Sequence, residues 1–426
     1  MIDSKQPTIL CIASFFKGND FIREAKRQGA RVVLLTREEL MEGDWARESL
    51  ADLIAIPGKA TVESYLAAAI DVARHRRVSR VVALEEYDVV TAAHIREHID
   101  VPGIGATTAR RFQDKVAMRA RARDLGIPQP EYVPLLNYEE IDEFMKRTSA
   151  PWMLKPRLGA SAMGIRKLDE PESVWRAIEE LDAREASQQT SAFHLLEQYL
   201  PGDVYHVDSL VEGGKILFAS VERYGAPPFD VSHFGGVTLS HTVRHDSKER
   251  RSLLDLNKSL LAGFGLAWGV THAEFIRRAD YREAKRPVSS RISSSVEPHE
   301  FHFLEVAARV GGAHTSDTVA AASGINPWRE WARIELATVE QPYILPEVRQ
   351  EYGGIALSLA RQEHPCTCRY ADPEIVQRIS KPWHVGLIVR SPKYERVIEL
   401  LDGYARRFDQ DFTAFAPPEE TPERHF

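Results

Sequence analysis

Cysteine is scarce: Cys11, Cys366 and Cys368 are the three thiols in 426 residues. Three thiols build neither a disulfide framework nor a four-ligand zinc site, and a chain this poor in cysteine is expected in the reducing cytoplasm. Cys366-x-Cys368 has a spacing that a soft metal accepts, but reads more simply as two incidental thiols. Long apolar runs are also missing. TILCIASFF, from Thr8, is too short to span a bilayer, is preceded by Asp3 and is followed by no cleavage-like site, so neither a membrane span nor a signal peptide is expected. There is no excess of positive charge. Lys and Arg number 55 against 62 Asp and Glu, a formal charge of -7, which argues against a protein whose main partner is nucleic acid. The basic run RRFQDKVAMRARAR, Arg110 to Arg123, reads mostly as a solvated helix face. Two phosphate-binding signatures are absent as well. The loop after the first strand is FFKGND rather than G-x-G-x-x-G. In PWMLKPRLGASAMGIRKL, Gly159 and Gly164 stand at Walker A spacing, but Ile165 and Arg166 follow where that motif needs Lys and Ser/Thr. A Walker A also opens a helix, whereas GIRKL alternates like a strand.

The first hundred residues alternate short β-branched runs (TILCIAS, RVVLLT, ADLIAI, RVVALE) with amphipathic stretches. That pattern predicts a parallel sheet covered on both faces. NDFIREAKRQG predicts a helix capped by Asn19 or Asp20 and stopped by Gly29. From Thr107, TTARRFQDKVAMRARARDLG predicts one helix, capped by Thr107 or Thr108 and ended by Gly126. A hairpin WMLKP…GIRKL, a helix opening at Pro171, strands at FHLLEQYL, DVYHVDSLV and KILFASVERYG, and a helix from Lys248 follow. GVTHAEFIRR and FHFLEVAAR predict two neighbouring strands joined by the Ser-rich connector 286–300, read as an inserted hairpin tip. The last stretch predicts strands at GIALSLA and HVGLIVR and a helix at KYERVIELLDGYARRF, a small α+β cap, then a frayed tail. The expected divisions are 1–105, 106–190, 191–345 and 346–426.

Three groups of residues carry chemistry. Lys155 closes an apolar strand beside a loop of small residues; its ammonium can meet phosphate oxygens while backbone N–H groups from Gly159 to Gly164 approach. The alternative is a surface hairpin whose lysine reaches water. Glu274 and Glu305 sit in the middle of two adjacent strands. Buried and unpaired they would be costly, and a hard divalent cation compensates clustered carboxylates; otherwise both point outward. Arg309, four residues after Glu305, would share its face and could clamp an anion or pair with one of the acids. Glu85 and Glu86 end a strand where open α/β sheets place ligands.

In order, DKVAMRARARDLGIPQPEY, WMLKPRLGASAMGI, LLEQYLPGDVYHVD, GVTHAEF and FLEVAARVGG resemble the motifs of the ATP-grasp superfamily. The resemblance covers most of the chain. It implies α/β and α+β architecture: a Rossmann-like pre-ATP-grasp domain (1–105), a small subdomain with the lysine helix and glycine loop (106–190), a large subdomain with the metal-binding strands (191–345) and a C-terminal cap (346–426). It implies ATP bound with Mg²⁺, or Mn²⁺ in its place. Lys115 and Lys155 would contact phosphate and adenine edges. Gly159, Ala160, Ser161 and Gly164 would cover the phosphates. Glu197, Gln198, Tyr199 and Leu200 would form the adenine hinge, mainly through backbone, and Asp203 would take the ribose hydroxyls. Glu274 and Glu305 would hold the metal. Arg309 would contact the γ-phosphate and acyl-phosphate oxygens and, with Lys155, act in catalysis. THAEF and RVGGAHT resemble the L-amino acid ligase branch, which would put His272, Gly312 and His314 in the carboxylate-substrate pocket; Glu85 would meet a substrate amine. One position departs: Ala307 stands where the family usually has a metal-binding Asn.

The implied reaction is ATP-dependent activation of a carboxylate as an acyl phosphate and its capture by an amine, with small molecules as partners, no nucleic acid or membrane, and a homodimer through the leading domain. A biotin carboxylase is disfavoured because GGVTLSHTVRHDSKE lacks the Arg/Gln/Lys-rich pattern beyond the hinge. A carboxylate–thiol ligase and a catalytically silent nucleotide-binding protein are the remaining alternatives.

Overall fold

The structure, a computed structural model, describes residues 6–58, 60–160, 162–184, 190–279 and 300–416. Ser161, the connector 286–299 and the tail from 417 lie outside them.

Three sheets organise the chain. In the first, β1 (Thr8–Ala13), β2 (Arg31–Arg37), β3 (Asp52–Ile56) and β4 (Val78–Ala83) run parallel in the order β3-β2-β1-β4. All six residues of β1 are buried, as a strand covered on both faces requires. The Asn19–Arg27 helix follows β1, but its N-cap is Gly18 in a left-handed conformation, not Asn19 or Asp20. Asn19 instead ties down the loop after β2, donating to the Asp44 carbonyl and accepting from Ala46 N–H.

The single helix expected over 107–126 is two, Ala106–Arg110 and Lys115–Asp124. Asp114 explains the break. It takes extended backbone and accepts from Val116 N–H, an N-cap that restarts the helix. The first helix is capped by Gly105 rather than by Thr107 or Thr108. Arg157 fixes this joint to the following hairpin, donating to Asp114 at 3.1 and 2.6 Å, while Lys115 N–H donates to the Arg157 carbonyl.

The second sheet, β5 (Tyr132–Pro134), β6 (Trp152–Pro156), β7 (Arg166–Leu168) and β8 (His194–Gln198), is antiparallel in the order β5-β8-β6-β7. The stretch 152–168 is therefore a hairpin. Trp152, Leu154 and Leu196 join the core under the Tyr138–Arg147 and Pro171–Asp182 helices. Side chains alternate along a strand, so Met153 and Lys155 face the other way.

The third sheet has eight antiparallel strands: β9 (Gly202–Glu212), β10 (Lys215–Tyr224), β11 (Thr238–Thr242), β12 (Gly269–Arg278), β13 (Phe301–Ala307), β14 (Tyr352–Leu359), β15 (Ile375–Lys381) and β16 (His384–Ser391). Their order is β13-β12-β9-β10-β11-β14-β16-β15. β15 was not among the strands expected from sequence. The C-terminal strands continue this sheet through the β11–β14 pairing. Tyr205, Val207, Ala273, Phe275 and Phe303 face the Lys248–Phe264 helix, which leaves His206, Asp208, His272 and Glu274 on the opposite face. A bulge sets β13: Glu274 pairs with Glu305 but Phe275 with Phe303, so Leu304 is the extra residue. Without it Glu305 would share the core-facing side of Phe303. Phe21 of the first domain meets Trp331 of the Pro327–Leu336 helix at 5.1 Å, within a core that also takes Leu210 and Val270. The first domain and the large sheet thus share one core.

Candidate active site

The second and third sheets face each other across a cleft of about 1110 Å³, part of it open to solvent. Its apolar floor is Leu200, Val204, Ile276 and Leu304. Met153, Met163 and Ile165 wall it on the small-sheet side, and Phe229 on the other. This slot suits a flat ring. Polar groups gather at the inner end, where Lys115, Lys155, Glu197, Glu274 and Glu305 all line the cleft.

Lys115 opens its helix and donates to the Gly159 carbonyl at 2.7 Å; its Nζ lies 3.5 Å from Glu305. Gly159 has φ of 141°, which disfavours any side chain. Tyr87 of the first domain accepts from Ala160 N–H, and the Ile165 carbonyl is held by His233. The glycine loop is thus gripped from both sides. Gly159 and Ala160 line the cleft, and Gly164 turns the chain at φ of 67°.

Lys155 Nζ lies 2.6 Å from Glu197, which also accepts from Arg119 Nε at 2.6 Å. Burial alone would raise the Glu197 carboxyl, but the charges of Arg119 and Lys155 pull it down to about 2. Glu197 therefore anchors two cations with its side chain, a task sequence reasoning missed. The N–H groups of Gln198 and Tyr199 already donate to the Glu131 and Pro151 carbonyls. Among the four hinge residues, all of which line the cleft, these two spend their backbone donors inside the protein.

Glu274 and Glu305 stand directly opposite each other on β12 and β13. Glu274 accepts from the Tyr224 hydroxyl at 3.1 Å, and His272 Nε2 lies 3.5 Å away. Burial would raise its carboxyl, but hydrogen bonding and charge from His272, with His206, hold it below the usual range. His272 is in turn fixed by Asp208, 2.9 Å from its Nδ1, and His206 Nδ1 lies 2.6 Å from the other Asp208 oxygen. Burial would lower the His272 imidazole; Asp208 carries it up to about 10. His206, Asp208 and His272 present donor atoms within 4.8 Å of one another, close enough to hold an ion, yet they satisfy each other as an acid between two imidazoles. Sequence reasoning passed over His206 and Asp208, although their alternation with Val204 in DVYHVDSLV marks one strand face. Ala307 sits in register opposite His272. A Cβ on Gly311 would come within 2.7 Å of His272 Nδ1, so the loop after β13 closes directly over this pair.

Asp203, Arg309, Glu85 and His314, all expected at the site, do not line the cleft. Asp203 is on the core-facing side of β9 and pairs with Arg223 at 2.9 Å; it does not line the cleft. Arg309 lies beyond the end of β13, so strand alternation does not place it. Its Nε and Nη2 donate to Glu86 at 3.1 and 2.8 Å, and Glu85 is 3.7 Å away. Glu85 also has Lys17 at 2.5 Å, so the acid expected to meet an amine already has two cations beside it. His314, in a left-handed conformation, is held by Asp317 at 2.7 Å, half-exposed beside Gly312. Cys366 and Cys368 lie in an exposed loop away from the cleft, where Cys368 N–H donates to Cys366 Sγ. Among the described residues no helix is long and apolar enough to cross a membrane.

The two sheets close on a cleft with paired acids and lysines, and residues 148–284 match the family model for the ATP-grasp domain. The chain is 22% identical over 259 residues to the L-arginine-specific L-amino acid ligase of Bacillus subtilis, a match spanning 60% of this chain and 57% of that relative. The crystal structure of an L-amino acid ligase from Bacillus licheniformis superposes with a TM-score of 0.73 at 15% identity, covering 96% of this chain and 99% of the other. The biotin carboxylase β,γ-ATP complex from Campylobacter jejuni gives 0.67 at 14% identity over 96% and 92%.

Proposed function

We propose that the protein is an ATP- and Mg²⁺-dependent ligase that activates a carboxylate, that of an amino acid or related metabolite, as an acyl phosphate and joins it to an amine. One observation carries the reading: Glu274 and Glu305 face each other across β12 and β13 in the same cleft that holds Lys115 and Lys155. A cleft that only bound a nucleotide would have little use for both acids. The names of the Bacillus relatives, both amino acid ligases, support the substrate class.

The donor set fits a hard cation: two carboxylates side by side, one of them held ionised by His272. Glu274 and Glu305 would hold Mg²⁺, which would supply charge neutralisation for the nucleotide phosphates. The remaining work falls to the chain itself. Transfer of a phosphoryl group needs little beyond positioning and charge stabilisation. Lys155, fixed by Glu197, and Lys115, fixed by the Gly159 carbonyl, present ammonium groups at defined points along the cleft. The gripped glycine loop would cover the phosphates. Arg309 is held as a cation by Glu86 and Glu85 beside the paired acids, where it would meet the carboxylate and its acyl-phosphate oxygens.

The test is phosphate and ADP release with ATP, Mg²⁺ and hydroxylamine across pools of amino acids and small carboxylates. Pool-dependent release with hydroxamate formation is expected, abolished by Glu305→Ala and by chelation, and severely reduced by Lys155→Ala. Near-normal turnover in both variants would overturn the assignment; product mass separates an amine from a thiol acceptor.

A further inference from the structure

A second cavity, about 750 Å³ and partly open to solvent, lies outside the cleft, where β4 and the Val89–His98 helix meet the start of β12 and the Pro327–Leu336 helix. Three charged side chains line it: Arg80, Arg96 and Glu335. Arg96 is 9% exposed. Its Nε and Nη1 donate to the Ile104 and Val81 carbonyls, and Glu335 and Glu97 act on it by charge without coming within ion-pair distance. Burial lowers the guanidinium and the charges of Glu335 and Glu97 offset this only in part, and it lines an open cavity. Glu335 accepts from Trp331 Nε1 and lies 3.5 Å from Arg80 Nε; burial raises its carboxyl. The rest of the wall is apolar, chiefly Val89, Pro102, Leu266 and Trp268, the last 45% exposed at the mouth.

We propose that this cavity is a binding site for a small α-amino acid, with its carboxylate on Arg96 and Arg80, its ammonium on Glu335 and its side chain against Trp268. Two cations and one anion over an apolar wall complement a zwitterion with a short apolar side chain. Glu335 repels a polyanion such as phosphate, and the two arginines repel a simple amine. The site is placed to act as a regulatory one. Ala83 and Ala308 line it; Ala83 stands two residues before Glu85, and Ala308 next to Arg309, so an occupant presses on both ends of the Arg309–Glu86 contact.

Calorimetric titration in the absence of ATP tests this. The probes are glycine, alanine, valine and leucine, the deaminated carboxylates of the same size, and inorganic phosphate. At least one amino acid should bind wild-type protein at one site, with its deaminated analogue and phosphate at least tenfold weaker. Arg80→Glu and Trp268→Ala, both partly exposed and checked for folding by thermal melt, should weaken it at least tenfold, and Lys155→Ala should leave it unchanged. Absence of binding by every amino acid, equal binding of the deaminated acids or phosphate, or loss in Lys155→Ala with retention in Arg80→Glu would each overturn the proposal. Ligase turnover is read separately, so either idea can fail alone.

Discussion

Glu197 shows how much one side chain can hold. Its carboxylate is 1% exposed and sits between Arg119 and Lys155, themselves mostly buried. Removing it strands two cations, and breaking a buried pair this way costs about 3–5 kcal/mol. Glu197→Ala should therefore lower the denaturant midpoint strongly and raise the KM for ATP by freeing Lys155. The pH dependence has a fixed sign. The carboxyl titrates near 2 in the folded chain and at about 4.3 in the unfolded one. Its contribution is complete above the unfolded value and is lost as pH falls toward 2. Stability measured from pH 5 down to 2 should fall less steeply in Glu197→Gln than in wild type.

At the scale of elements, the joint at Asp114 and the pairing of β9 with β12 position the two sides of the cleft. Asp114 caps the lysine helix and binds Arg157, which follows Lys155 by two residues. Loss of such a cap costs about 1–2 kcal/mol, and Asp114→Ala should reduce ATP affinity as well, because Lys115 is the first residue of that helix. Gly202 begins β9 against β12. A Cβ there would lie 2.0 Å from the Arg277 carbonyl oxygen and 2.8 Å from its carbon. Neither is the mobile end of a side chain, so Gly202→Ala should cost about 1–3 kcal/mol or more, seen as a lowered melting temperature.

At the scale of the whole molecule, two sheets line one cleft and the first domain braces it. The first domain sends Tyr87 to the glycine loop and Glu85 and Glu86 to Arg309; the small sheet supplies the lysines' end, and the large sheet the acids. A ligand gripped between the two braced sheets should stabilise the fold as a unit. ATP with Mg²⁺ at about 100 times its Kd should add ~2.7 kcal/mol, a rise of several degrees in melting temperature. Lys155→Ala should lose most of that rise at the same nucleotide concentration; an equal rise would remove Lys155 from the nucleotide site.

Much of this was legible along the chain, for local reasons. Alternation places Lys155 opposite Trp152 and Leu154, and short apolar runs alternating with helices mark the first sheet as parallel. Gly159 and Gly164 mark a turn because their backbone conformations exclude side chains. GVTHAEF and FLEVAARVGG read as neighbouring acidic strands, which they are. What required tertiary structure was every fact that depends on a partner distant in sequence. Strand pattern cannot reveal that Leu304 bulges and so rotates Glu305 to face Glu274. Nor can it show that Asp203 turns to the core side of β9 toward Arg223, or that Glu86, 223 residues before Arg309, is the acid that holds it. The period of a strand is written in neighbouring residues, but which face meets ligand, and which charge meets which, is fixed only when separate strands pair and their buried charges must find counter-ions.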